Sequence, residues 1–162
     1  MIVRKLFKTI LQDLQKIPVV VLFGPRQVGK TTLAKQLAAH DSDSFVYLDM
    51  ELPSDRFKLT EIELYLSGLV SKTVIIDEVQ LLPEIFPVLR SLVDQHRHPG
   101  RFLLLGSASP ELLQKSAESL AGRIRYREVF PITLAEKENN LLQQEVWFRG
   151  GFPSALLAGS QE

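Results

Sequence analysis

The sequence predicts an α/β domain, doubly wound, with a mainly parallel sheet covered by helices on both faces. Two observations carry that expectation. Short apolar runs at residues 19–23, 45–48, 73–76 and 102–105 are continuous rather than alternating, the pattern of strands buried on both faces. Between them lie stretches with apolar residues three and four apart, and strands alternating with helices imply crossovers joining parallel strands. A chain of 162 residues is long enough to bury such a core as one domain.

The elements follow in order. Val3, Leu6, Phe7, Ile10, Leu11 and Leu14 form an apolar stripe on a leading helix that Pro18 ends. Val19 to Phe23 is the first strand, and Gly24 to Gly29 a glycine-punctuated turn. From Lys30 the pattern is helical, with Leu33 and Leu37 beside Ala34 and Ala38. Residues 45–48 form the second strand, 52–69 a mostly helical region ending near Gly68, and 73–76 the third strand. Ile85, Val88, Leu89, Leu92 and Val93 trace one face of a helix whose start is marked by Pro83 and Pro87. Residues 102–105 form the fourth strand, and Ser109 with Pro110 starts another helix, serine as cap and proline in its first position. Residues 123–130 read as a fifth strand. Beyond Pro131 the pattern weakens: residues 133–144 look helical and polar, and 147–153 are aromatic and glycine-rich. Trp147, Phe148 and Phe152 so near a terminus imply that they pack on something or that the chain is part of a longer one. The expected division is a first domain over 1–138 and the start of a second over 139–162.

Composition narrows the function. Apolar residues are 45% and charged residues 23% of the chain, near the globular average, so disordered and fibrous classes drop out. Nineteen basic residues balance nineteen acidic ones, which gives no support to a dedicated nucleic-acid or membrane-surface binder. With no cysteine there is no disulfide, thiolate zinc site, iron–sulfur cluster or cysteine nucleophile. Arg4, Lys5 and Lys8 precede apolar residues, but Gln12, Asp13, Gln15 and Lys16 interrupt any leader-like stretch. Nothing approaches the run of about eighteen apolar residues that a membrane helix needs. A soluble, cytoplasmic protein is expected. His40, His96 and His98 lack metal-ligand neighbours and read as surface or loop residues.

Gly24-Pro25-Arg26-Gln27-Val28-Gly29-Lys30-Thr31 matches G-x-x-x-x-G-K-[ST] in full, between a buried-type strand and a helix, and Thr32 follows. The two glycines let successive amide hydrogens turn inward on a phosphate, and the helix that follows adds its N-terminal amides. Lys30 supplies a positive charge near the β- and γ-phosphates, and the Thr31 hydroxyl is a Mg²⁺ ligand. An ordinary glycine turn is the alternative, and the strand and helix around the loop argue against it.

Asp77 and Glu78 directly follow Val74-Ile75-Ile76. That places Asp77 at the carboxyl end of a strand, where open α/β sheets bind ligands. Asp77 is expected to hold Mg²⁺, mostly through water, and Glu78, pointing another way, to orient and deprotonate the water attacking the γ-phosphorus. A capping or turn pair is the alternative. Ser107, ending the fourth strand, is either a nucleotide sensor or a local cap, and capping is the reading for Ser109. Arg123, Arg125 and Arg127 alternate, and the spacing predicts that they share one face of the last strand. They serve either to stabilise transition-state charge, in cis or from a neighbouring subunit, or to solvate a sheet edge.

The blocks GPRQVGKTTL, YLDMELP, VIIDEVQLLPE, LLLGSAS, SLAGR, FPITLAE and WFRGGFP occur in this order over nearly the whole chain. Together they resemble the prokaryotic AAA-like ATP-binding proteins of the AAA-14 ATPase group, P-loop NTPases with a catalytic glutamate. The resemblance implies a five-stranded sheet of order 5-1-4-3-2, ATP with Mg²⁺ as ligand, and hydrolysis through Glu78. It also implies Ser107 at a sensor position, Arg123 as an arginine finger, and continuation into a second domain of different fold that this chain does not include. The expected function is therefore a Mg-dependent ATPase that drives conformational change of an attached domain. A nucleotide-gated switch with negligible turnover and a small P-loop kinase are the alternatives; a GTPase is disfavoured because no Asn-Lys-x-Asp segment occurs. Expected partners are ATP or ADP, with a homo-oligomer or a missing C-terminal domain completing the assembly.

Overall fold

The computed structural model describes residues 5–107, 110–132 and 150–153. Five strands form one sheet: β1 (Val19–Gly24), β2 (Phe45–Asp49), β3 (Thr73–Asp77), β4 (Phe102–Ser107) and β5 (Ile124–Glu128). Their order is β2-β3-β4-β1-β5, the expected order read from the other edge, and every neighbouring pair is parallel. The helices are α1 (Leu6–Leu14), α2 (Lys30–His40), α3 (Pro53–Lys58), α4 (Ile62–Ser67), α5 (Ile85–Gln95) and α6 (Pro110–Ser119).

The continuous apolar runs explain the layering. In β1, Val20 and Leu22 face one way and pack with Ile10 and Leu14 of α1 and Leu33, Ala34 and Leu37 of α2. Val19 and Val21 face the other way, onto Leu66 of α4 and Ile85, Leu89 and Val93 of α5. Val19 to Leu22 are thus buried whichever way they point, and each fully buried aliphatic side chain contributes roughly 1.5–3 kcal/mol.

Two details differ from the expectation. The helical region over 52–69 is two short helices, because Thr60 donates its hydroxyl to the Phe57 carbonyl at 2.8 Å just past the end of α3. A local cap competes with helix continuation there. Beyond Asp77, a short 3-10 turn over Val79–Leu81 carries the chain toward α5. The expected capping by Ser109, the expected helix over 133–144, Trp147 and Phe148, and the boundary at 138 lie outside the described residues. Gly151 accepts the Ile132 N–H at 2.7 Å, so the glycine-rich piece rests on the turn after β5.

The last strand's arginines are held by structural partners. Asp13 of α1 is buried and accepts Arg125 at 2.8 Å and Arg127 at 2.5 and 3.0 Å. The Arg127 hydrogen bond is the main cause that holds the Asp13 carboxyl below its ordinary range, against the opposing effect of burial. These pairs tie α1 to the edge strand. Arg123 sits at the other end of the sheet from the phosphate loop, since its carbonyl accepts the N–H of Val19, where β1 begins. Its guanidinium grips Asp94 of α5 with bonds of 2.6 and 2.9 Å. The run of β1 to Gly24 separates it from the loop by about 17 Å at roughly 3.3 Å per residue. Arg123 therefore does not reach the loop of its own chain, which leaves the arginine-finger expectation only its form toward a neighbouring subunit.

The Asp13 cluster has a pH consequence. Its folded pKa is depressed, so its stabilisation is present above the unfolded value near 4 and lost as pH falls toward the folded one. Asp13→Asn should cost about 2 kcal/mol at pH 7, after allowance for the partly exposed guanidiniums. The gap from the parent protein should narrow on acidification through that window. Urea denaturation of both proteins at neutral and acidic pH measures it.

Candidate functional site

From β1 the chain crosses to β2 on one side of the sheet, and from β4 it crosses to β5 on the other. The crevice at the carboxyl ends of β1 and β4 is thus the point where connections diverge, and α/β sheets take ligands there. Gly24 and Ser107 stand opposite each other in that register.

The loop after β1 is shaped by three left-handed or near-extended positive-φ residues: Gly24 (φ 153°), Gln27 (φ 61°) and Gly29 (φ 97°). Gly24 is needed for close approach as well as for its dihedral. A Cβ there would lie 2.4 Å from the Val129 carbonyl oxygen, where the chain leaves β5. Val28 is fully buried among the α1 and α2 residues and pins the loop from beneath, while Pro25, Arg26 and Gln27 are exposed above it. Gln27 is the loop's one non-glycine residue with positive φ, and its residue type carried no signal of that.

Lys30 begins α2 and is buried. Its ammonium donates to the Gly24 carbonyl at 2.9 Å and the Pro25 carbonyl at 2.8 Å, closing the loop on itself. Burial pushes its pKa down, Glu78 and Asp77 oppose that, and Arg26 adds to the lowering. Thr31 and Thr32 follow in the first turn of α2, the former half-buried and the latter exposed.

Asp77 ends β3 with its side chain buried. Its Oδ1 accepts the Glu78 N–H at 2.9 Å and its Oδ2 accepts the Tyr47 hydroxyl at 2.7 Å. Burial, then the Asp77 bond, push the Tyr47 pKa up, so the phenol stays a donor. Glu78 takes a left-handed backbone conformation (φ 52°, ψ 43°), which turns the chain out of the strand and costs about 1–2 kcal/mol in a residue with a Cβ. Gln80 donates its side-chain amide to the Glu78 carboxylate. Asp49, opposite Asp77 across β2 and β3, is occupied locally and accepts the Glu51 N–H at 2.9 Å.

The structure thus brings Gly24 to Thr32, Asp77, Glu78 and Ser107 to one edge and leaves Arg123 at the other. Sequence reasoning missed Tyr47 and Gln80. Tyr47 alternates with Asp49 along β2, but its relation to Asp77 exists only once β2 and β3 are neighbours. His98 is structural, its ring nitrogens lying 2.9 Å from the Val70 carbonyl and 3.0 Å from that of Pro99. Near the loop, Pro153 lies 3.6 Å from where a Gly29 Cβ would stand.

No group of three or more His, Asp or Glu side chains forms a metal cage among the described residues. Magnesium needs none, since it is commonly held by one or two carboxylates with phosphate oxygens and water. Asp77 and Thr31 offer that oxygen set. Among the described residues no helix is long and apolar enough to cross a membrane.

Known proteins resemble this arrangement. The chain is 44% identical over 149 residues to an uncharacterized protein of Mycobacterium tuberculosis and to one of Mycobacterium bovis. Those alignments cover 92% of this chain and 33% of each relative, so the chain spans about a third of their length. A Walker-type ATPase of Pyrococcus abyssi superposes with a TM-score of 0.71 at 18% identity, over 96% of this chain and 65% of that one. AMPPCP-bound DnaA from Aquifex aeolicus gives 0.59 at 9% identity, over 94% and 57%. At those identities the two structures show the shared P-loop NTPase fold. A family description, the AAA domain of the AAA-14 group, matches residues 16–137. The chain belongs to that AAA domain family.

Proposed function

We propose that this domain binds ATP with Mg²⁺ and hydrolyses it to ADP and phosphate, and that the cycle moves an attached domain. The observation that carries the reading is a loop built on positive-φ residues and closed by the Lys30 ammonium on the Gly24 and Pro25 carbonyls, at the same carboxyl edge of the sheet where Asp77 and Glu78 end β3. Family membership and the P-loop fold support it. The length of the curated relatives supports an attached domain as the element moved.

Each residue then has a task. Lys30 exchanges its two neutral carbonyl acceptors for charged phosphate oxygens, which form stronger bonds. The amides of residues 24–32 cradle the phosphates, and the α2 dipole favours their charge. Thr31 and Asp77 would hold Mg²⁺, which when bound neutralises charge on the β- and γ-phosphates. Glu78 orients the attacking water and takes its proton as oxygen bonds to the γ-phosphorus and the bond to the ADP oxygen breaks. Ser107, level with Gly24, contacts the γ-phosphate side and reports which nucleotide is bound.

Two variants separate binding from chemistry. Lys30→Ala should weaken ATP binding about 10- to 100-fold, the loss of charge-assisted hydrogen bonds, in a calorimetric titration. Undiminished affinity would overturn the phosphate-loop assignment. Glu78→Gln should keep the nucleotide-dependent thermal stabilisation, about 2.7 kcal/mol at a hundredfold excess over Kd. Its single-turnover phosphate release should fall by roughly 10²- to 10⁴-fold. Equally slow release by Glu78→Gln and the parent protein, with the nucleotide still changing conformation, would replace hydrolysis with a nucleotide-gated switch.

A further inference from the structure

We propose that Tyr47 is a positioning residue for the metal-binding carboxylate, its phenol fixing the plane in which Asp77 presents its oxygens; this rests on the Mg-ATP reading above. The placement follows from sheet geometry. Tyr47 is in register with Ile75, two residues before Asp77 on the neighbouring strand, and alternation puts Tyr47, Ile75 and Asp77 on one face. The diagonal between such positions is about 7–8 Å, a span that an aromatic side chain can bridge. Tyr47 bridges it, with its hydroxyl 2.7 Å from Oδ2.

A carboxylate turns freely about its last bond unless both oxygens are held. In Asp77 the Glu78 N–H holds Oδ1 and the phenol holds Oδ2. Each oxygen accepts about two hydrogen bonds or ligands, so each keeps capacity for one more partner beside the bond it already accepts. The phenol is itself braced, because Lys35 of α2 places its ammonium 5.4 Å from the ring centroid. A neutral donor suits this place. Asp49 lies directly opposite Asp77, and a fixed phenol stabilises the Asp77 charge without adding a cation that would compete with the metal. Partners that orient a ligating carboxylate commonly change metal affinity 10- to 100-fold when removed.

The test is Tyr47→Phe, which deletes one hydroxyl and keeps the ring. Free Mn²⁺ is titrated by its electron paramagnetic resonance signal against protein saturated with a non-hydrolysable ATP analogue. The variant should bind Mn²⁺ about tenfold more weakly, while its affinity for the analogue in EDTA stays at the parent value. In an Asp77→Asn background, Tyr47→Phe should add no further loss, the non-additivity of two residues acting through one contact. Unchanged Mn²⁺ affinity in Tyr47→Phe would overturn the proposal. So would an equal loss in the Asp77→Asn background, which would mark a packing role. If the parent protein itself binds Mn²⁺ no better with the analogue than without it, the Mg-ATP reading fails and this inference falls with it.

Discussion

A parallel sheet covered on both faces leaves no room for charge along its central strands. That constraint governs this molecule. Both sides of β1, β3 and β4 are filled with aliphatic side chains from α1 and α2 on one face and α4 and α5 on the other. Polar chemistry of the central strands is expelled to their ends, and at the carboxyl ends the chain sets Asp49 level with Asp77 and Gly24 level with Ser107. The order β2-β3-β4-β1-β5 then sets a phosphate loop beside the strand from which the crossovers part.

Within that edge, the electrostatics are built from few groups. A buried ammonium is costly unless it is satisfied, and Lys30 is satisfied by two carbonyls and by the field of Asp77 and Glu78. The carboxylates are satisfied in turn by different donors: a backbone amide and a phenol for Asp77, and a side-chain amide for Glu78. None of those donors carries a charge. Neither carboxylate is ion-paired directly, in contrast to Asp13, which two arginines grip. Like residue types do opposite work at the two places because their neighbours differ.

Much of this was readable beforehand. The strands, the leading helix, α2 and α5 follow from apolar periodicity, because burial is a local demand that each segment must meet. The phosphate loop is legible because glycines at 24 and 29 with lysine at 30 are a backbone requirement written as residue types. Other features were not legible. Arg123 belongs to a conspicuous block, but a strand has two ends, and only the pairing of β5 with β1 shows which end it occupies. Arg125 and Arg127 left an edge-solvating role open, and their partner Asp13 lies more than a hundred residues away, beyond any local pattern. The split between α3 and α4 is accompanied by a local bond from the Thr60 hydroxyl to the Phe57 carbonyl that periodicity does not show.

The sequence alone determined the alternation of strands and helices, the loop that can cradle phosphate, and the acidic pair at the end of a buried strand. Those features depend on residues near one another in the chain, where dihedral preference and periodicity act. Tertiary structure decided which end of the sheet each charge reaches, that Tyr47 meets Asp77, and that Arg123 meets Asp94 instead of the loop. The reason is that strand order and register are properties of the whole sheet: a hydrogen bond between neighbouring strands joins residues that no local spacing relates.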